Sequence, residues 1–187
     1  METVEDEAPD ASEDGARERF EAIVAEVIEP VRRFLARRTD RDTADDVLAE
    51  TLLVCWRRLD DVPDQALPWV YGVARHCLAN AERGERRQRR LAARITVVDP
   101  PEEAVREPDP PDARVSAALA ALRPDEAELL RLWAWEQLGP AEIAEVLGVT
   151  ANAVSIRLHR ARGKFVDALG KIDGDAGHEG VREGRET

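Results

Sequence analysis

Apolar residues along this chain recur every three or four positions and almost nowhere alternate. Phe20, Ile23, Val24, Val27 and Ile28 mark one helical face, which Val31, Phe34 and Leu35 continue beyond an interruption expected at Pro30. Val47, Leu48, Thr51, Leu52, Cys55, Trp56 and Leu59 give the buried side of a second helix, opened by Asp42 or Thr43 and running through Leu59. A loop with Pro63 and Pro68 leads to a third helix that starts near Trp69 and turns Val73, Cys77 and Leu78 inward. Helical spacing resumes at Val115 with Ala118, Leu119 and Leu122. Pro124-Asp125-Glu126 then opens the helix of Leu129, Leu130 and Trp133. Strand signals are nearly absent, so the chain reads as all-α.

The breaks in this pattern divide the chain. Residues 17–94 form one small helical domain and 114–170 a second. Residues 95–113 lie between them, proline-rich and acidic, and are expected to be an extended linker. Residues 1–16 read as a disordered acidic tail and 171–187, rich in glycine and charge, as a second disordered tail.

The stretch from Gly139 to Arg162 is the most specific. Pro140 suits the first turn of a helix, Ile143, Ala144 and Leu147 share its apolar face, and Gly148 fits a tight turn. Val149 can plug the core below, and Thr150 is a good N-cap for the next helix. This spacing predicts a helix-turn-helix. In the second helix Val154, Leu158, Ala161, Phe165 and Leu169 recur as a buried stripe. Asn152, Ile156, His159 and Gly163 lie opposite, flanked by Ser155, Arg160 and Arg162, with Arg157 further round the flank. Amides, hydroxyls and guanidinium groups there suit base edges and phosphates in a major groove, and Ile156 suits a thymine methyl.

Net charge taken as a whole opposes such a role. The 187 residues carry −12 overall. Much of the acid is local, since Glu2, Glu5, Asp6, Glu7, Asp10, Glu13 and Asp14 stand together without a basic partner. Arginines concentrate instead at Arg83–Arg94 and from Arg157 to Lys164. A large partner that holds these patches against DNA would remove the repulsion. Cys55 and Cys77 both fall in apolar helical patterns, as expected of buried, reduced thiols in a cytoplasmic protein. No metal-ligand spacing, cofactor motif, signal peptide or membrane span is evident.

Two further constellations carry chemistry. Trp69 and Tyr71 head a helix whose tail carries Arg83, Arg86, Arg87, Arg89 and Arg90. Aromatics that stack on unpaired bases, with arginines following the backbone, are the combination used to hold single strands. The preceding helix instead opens on Asp42, Asp45, Asp46 and Glu50; the helix dipole accounts for Asp42 and Asp45, while Asp46 and Glu50, four apart, leave room for a basic partner surface or a metal. Two readings of these residues compete: a helix-turn-helix regulator with a dimerising or sensing domain, and an all-α magnesium phosphohydrolase. The last would use Asp45, Asp46 and Glu50 with Glu21, Glu26 and Glu29 from a facing helix.

Thr43-Ala-Asp-Asp-Val-Leu-Ala-Glu50, Trp56-Arg57 and Trp69-Val-Tyr-Gly-Val-Ala-Arg75 with Arg83 resemble region two of bacterial RNA polymerase sigma factors. Leu119-Ala-Ala-Leu122-Arg-Pro124, Glu142-Ile-Ala-Glu-Val-Leu-Gly148 and Arg157-Leu-His-Arg-Ala-Arg162 resemble region four. Both regions without a region three are the layout of the extracytoplasmic-function group. The resemblance implies no catalysis and no cofactor, with core RNA polymerase and promoter DNA as partners. An anti-sigma factor is a further candidate partner. Asp45, Asp46, Glu50 and Arg57 would dock on polymerase. Trp69, Tyr71, Arg75, His76, Asn80, Arg83, Arg86 and Arg87 would melt and hold the minus-ten element. Thr150, Asn152, Ser155, Ile156, Arg157, His159, Arg160 and Arg162 would read the minus-thirty-five element, and the linker would thread through the polymerase. Ala49, Leu52, His76, Asn80 and Ser155-Ile156 depart from the residues usual in the family.

Overall fold

The computed structural model describes residues 11–95 and 113–179, with side chains over 14–91 and 113–173. Its elements are α1 (Ala11–Ala36), α2 (Arg41–Arg57), a 3-10 turn (Leu59–Asp61), α3 (Ala66–Ile95), α4 (Ala113–Ala120), α5 (Pro124–Ala134), α6 (Pro140–Leu147) and α7 (Ala151–Glu179). Helices α1 to α3 form one compact unit and α4 to α7 a second.

Pro30 does not interrupt the first helix. It sits inside α1, which is continuous from Ala11 to Ala36. An interior proline removes a donor and crowds a carbonyl, at a cost of about 3 kcal/mol. Val27, Val31, Phe34 and Leu35 on either side of it are fully buried in one core. Burial of that kind is worth about 1.5–3 kcal/mol per side chain, so packing outweighs the local penalty. The core is completed by Ala44, Val47, Leu48, Thr51 and Cys55 of α2 and by Ala66, Val70, Tyr71, Ala74, Cys77 and Leu78 of α3. The buried Thr51 hydroxyl is satisfied by donating to the Val47 carbonyl at 2.7 Å.

Other boundaries also shift from expectation. The acidic segment expected to be disordered through residue 16 is helical from Ala11. Asp14 lies near the positive end of the helix dipole, which favours that start. The tail expected after Gly170 continues α7 to Glu179. There Ile172 is half-buried and Asp173 pairs with Arg114 of α4 at 3.3 Å. Helix α3 begins at Ala66, with Pro68 in a first turn that needs no donor there. Residues 1–10, 96–112 and 180–187 of the tails and linker lie outside the described residues.

Two tryptophans expected inside are not. Trp56 is 45% exposed and meets Phe20 edge-on at 5.2 Å. The stripe of Ala44, Val47, Leu48, Thr51 and Cys55 is narrower than its apolar neighbours suggest, and Trp56 falls one step beyond it. Trp133 is 38% exposed, because α5 turns Leu129, Leu130 and Leu132 inward instead.

In the second unit, Ala118, Leu119, Leu129, Leu130, Leu132, Leu138, Ile143, Val146, Val154, Leu158 and Ala161 make the core. Gly148 closes α6 at φ 65°, a left-handed conformation that costs other residues roughly 1–2 kcal/mol. The following Val149 N–H returns to the Ala144 carbonyl at 3.0 Å, and the chain enters α7 two residues later. Glu142 accepts the Gly139 N–H at 2.7 Å and so caps α6 from within.

Glu126 fastens α5 to α7. Only 7% exposed, it accepts Arg123 at 2.8 Å and Lys164 at 2.6 Å. Those hydrogen bonds, Arg123 first and Lys164 second, pull its carboxyl from 4.5 down to about 2. A depressed carboxylate pKa stabilises the fold fully above about 4.5, and that stabilisation is lost as pH falls through about 2. Glu126→Gln should therefore melt below wild type at neutral pH. The gap should close between pH about 4.5 and about 2, as followed by thermal melts of the full chain.

Candidate nucleic-acid interface

Helix α7 separates its faces as its spacing predicts over its first turns, whereas Phe165 and Leu169, expected to continue the buried stripe, are only half-buried. Val154 and Ala161 are fully buried and Leu158 nearly so, while Asn152, Ser155, Ile156, Arg157, His159, Arg160 and Arg162 are exposed. Ile156 is 46% exposed, an aliphatic side chain held toward solvent by its place opposite the stripe. Thr150 caps the helix, its hydroxyl oxygen accepting the Ala153 N–H at 3.2 Å. Ser155 donates to the Ala151 carbonyl at 3.0 Å, which leaves its oxygen to accept. Arg162 lies 4.6 Å over the Trp133 ring, so α5 fixes where that guanidinium stands. Lys164, expected in the same basic run, is held by Glu126 instead.

On α3 one expected contact is lost. Tyr71 is 2% exposed and packs on Phe34 with centroids 5.1 Å apart, so it offers no face to a base. Trp69 and Arg75 are half-buried, and His76 and Asn80 are exposed. Beyond Leu78 the helix leaves the core, and Arg83, Arg86, Arg87, Arg89 and Arg90 are exposed. Arg83 donates to Asn80, Arg86 pairs with Glu82 at 2.9 Å, and Arg89 with Glu85 at 2.9 Å. Exposed pairs one turn apart are worth only about 0.3–0.5 kcal/mol, so these cations exchange readily onto phosphates. Arg87 and Arg90 are exposed without an ion pair among the described residues.

Helix α2 shows a different surface. Asp45, Asp46, Glu50 and Arg57 are all exposed. Helical spacing sets Asp46, Glu50, Leu53 and Arg57 in one line, with Asp45 and Trp56 on its flank. Leu53 and Trp56, each 45% exposed, add an apolar centre that was not anticipated. The spacing of Leu53 from Asp46 and Glu50 was the signal for it. Among the described residues no group of three or more His, Cys, Asp or Glu could hold a metal ion. Both cysteines are free and buried. Burial pushes the Cys55 thiol up to about 11 and raises Cys77 too, which keeps both protonated. No helix among the described residues is long and apolar enough to cross a membrane.

Residues 112–165 match the family described as sigma-70, region 4. Over 164 residues the chain is 29% identical to the RNA polymerase sigma factor CarQ of Myxococcus xanthus, spanning 86% of this chain and 94% of that protein. Over 138 residues it is 30% identical to the ECF RNA polymerase sigma factor SigL of Mycobacterium tuberculosis, spanning 69% of this chain and 76% of that one. The chain belongs to the extracytoplasmic-function sigma factors of the sigma-70 family. As a sigma factor it serves transcription initiation. Two solved structures share the fold. RpoE in complex with the anti-sigma factor NepR, from Bartonella quintana, matches with a TM-score of 0.59 at 18% identity, covering 81% of this chain and 96% of that one. CnrH in complex with the cytosolic domain of CnrY matches with a TM-score of 0.56 at 23% identity, covering 87% and 99%.

Proposed function

We propose that this sigma factor divides its work among three helices. The α2 line of Asp46, Glu50, Leu53 and Arg57, with Asp45 and Trp56 beside it, docks on core RNA polymerase. Trp69 and the α3 arginines from Arg83 onward hold the melted minus-ten strand, aided by Arg75, His76 and Asn80. Asn152, Ser155, Ile156, His159 and Arg160 of α7 read the duplex minus-thirty-five element, while Arg157 and Arg162 take phosphates. The chain catalyses nothing itself and acts in the cytoplasm, where polymerase works. A regulatory partner of the anti-sigma kind fits, since RpoE, which shares the fold, is solved in complex with the anti-sigma factor NepR.

The observation that carries this reading is the outward face of α7, an amide, an isoleucine and guanidinium groups opposite a fully buried stripe. Its test is partner dependence. The chain is acidic overall, so alone it should bind duplex promoter DNA weakly. With core polymerase it should bind specifically, in a salt-sensitive manner, and open a bubble detectable by permanganate. Nanomolar, sequence-specific operator binding by the free protein would instead identify a polymerase-independent regulator.

A further inference from the structure

Gly163 sits in the interior of α7, where glycine is the poorest residue a helix can hold apart from proline. Nothing within the described residues requires it. Its backbone does not take the left-handed conformation that Gly148 adopts at the end of α6. A Cβ placed on Gly163 would meet no other part of the protein within 4 Å, so no neighbour comes close enough to exclude a side chain. The position is exposed to solvent.

Its place on the helix supplies a reason from outside the chain. Gly163 follows Asn152, Ile156 and His159 at steps of four, three and four, so the four residues share the line opposite the buried stripe. The three side chains of that line are exposed, and at Gly163 the line drops to bare backbone. Arg160 and Arg162 stand on either side of the gap, both exposed. Arg162 lies 4.6 Å over the Trp133 ring and has no ion pair among the described residues. From Asn152 to Gly163 the helix climbs about 16 Å, more than the roughly 12 Å width of a major groove. A helix that reads base edges with its first turns therefore meets the rim of the groove, where sugar and phosphate stand, near Gly163. A side chain there would hold the helix off that wall, whereas bare backbone lets the wall come down to it.

We propose that Gly163 is a close-approach site for one phosphodiester of the minus-thirty-five duplex, seated over the bare backbone and held by Arg162. Gly163 acts by leaving room, and Arg162 supplies the charge. This rests on the reading of α7 as the helix that meets the upstream duplex, and it names the place where the phosphate taken by Arg162 lies. Gly170 provides the comparison. It stands seven residues further along the same line with equally open space around it, about 10 Å beyond the rim.

The test uses the holoenzyme, assembled from core polymerase and full-length sigma factor, with a duplex upstream fragment as probe and salt as the variable. Gly163→Ala and Gly170→Ala should each raise the melting temperature of the sigma factor by about 4 °C or more, because alanine is the better helix former. Only Gly163→Ala should weaken binding of the probe. The loss should be about tenfold, the scale of one charge-assisted hydrogen bond, with the salt dependence lowered by about one phosphate contact. Gly163→Leu should weaken it further. Preference among upstream sequences should stay as in wild type, since a phosphate carries no sequence. In an Arg162→Ala background Gly163→Ala should cost little more, because both act on one phosphate. Wild-type affinity in Gly163→Ala, an equal loss in Gly170→Ala, or a changed sequence preference would each overturn the proposal. A lower melting temperature in Gly163→Ala would also overturn it, by showing that the fold itself needs the glycine. Should the wild-type holoenzyme bind the probe no better than an unrelated duplex, the underlying reading of α7 fails instead.

Discussion

Replacing Asp46 and Glu50 together by lysine is expected to abolish capture of core RNA polymerase while the fold stays intact. Both side chains are exposed, and neither has an ion pair among the described residues. Reversal at such positions usually alters stability by only about 0.5 kcal/mol. At a complementary interface the same reversal replaces attraction by like-charge contact, which costs several kcal/mol and so at least about a hundredfold in affinity. The measurement is competition with the wild-type chain for core polymerase, alongside a thermal melt. Undiminished capture by the double variant would move the docking surface off α2.

The other large effect concerns neighbours on α7. Ile156 lies opposite the buried stripe and Arg160 flanks that outward face, whereas Arg157 lies further round toward the stripe, although all three are exposed. Ile156→Ala and Arg160→Ala should therefore change which minus-thirty-five sequences are used, each lost base contact costing about 1–3 kcal/mol. Arg157→Ala should weaken all promoters alike and lower the salt dependence by about one phosphate contact. Transcription from a randomised upstream element separates these outcomes. A reshaped preference with Arg157→Ala and an unchanged one with Ile156→Ala would mean that the helix sits differently in the groove.

What could be read from residues alone follows from where each signal resides. The two faces of α7 are legible because burial, cap and turn are all local: Val154, Leu158 and Ala161 repeat at helical spacing, Thr150 caps, and Gly148 takes the left-handed turn. Periodicity gives the direction of a buried stripe but not its width, so Trp56 and Trp133 read as part of it although both are exposed. Tyr71 illustrates the converse. At the head of a helix beside Trp69 it looks available to a base, and only the arrival of Phe34 from α1 buries it. Pro30 gives a strong local signal that tertiary packing overrules.

The stack of Arg162 on Trp133 has a consequence for how binding begins. An arginine free in solvent loses rotamer entropy when it settles on a phosphate, at about 0.5–1.5 kcal/mol for each side chain immobilised. Arg162 is already seated 4.6 Å from an aromatic ring, so its freedom is surrendered when the polypeptide folds. Arg157 and Arg160 have no such seat among the described residues and must be ordered by the duplex itself. On the proposed reading the two edges of this helix would therefore be unequal: one would offer a preset cation for the first encounter, and the other would tighten afterwards.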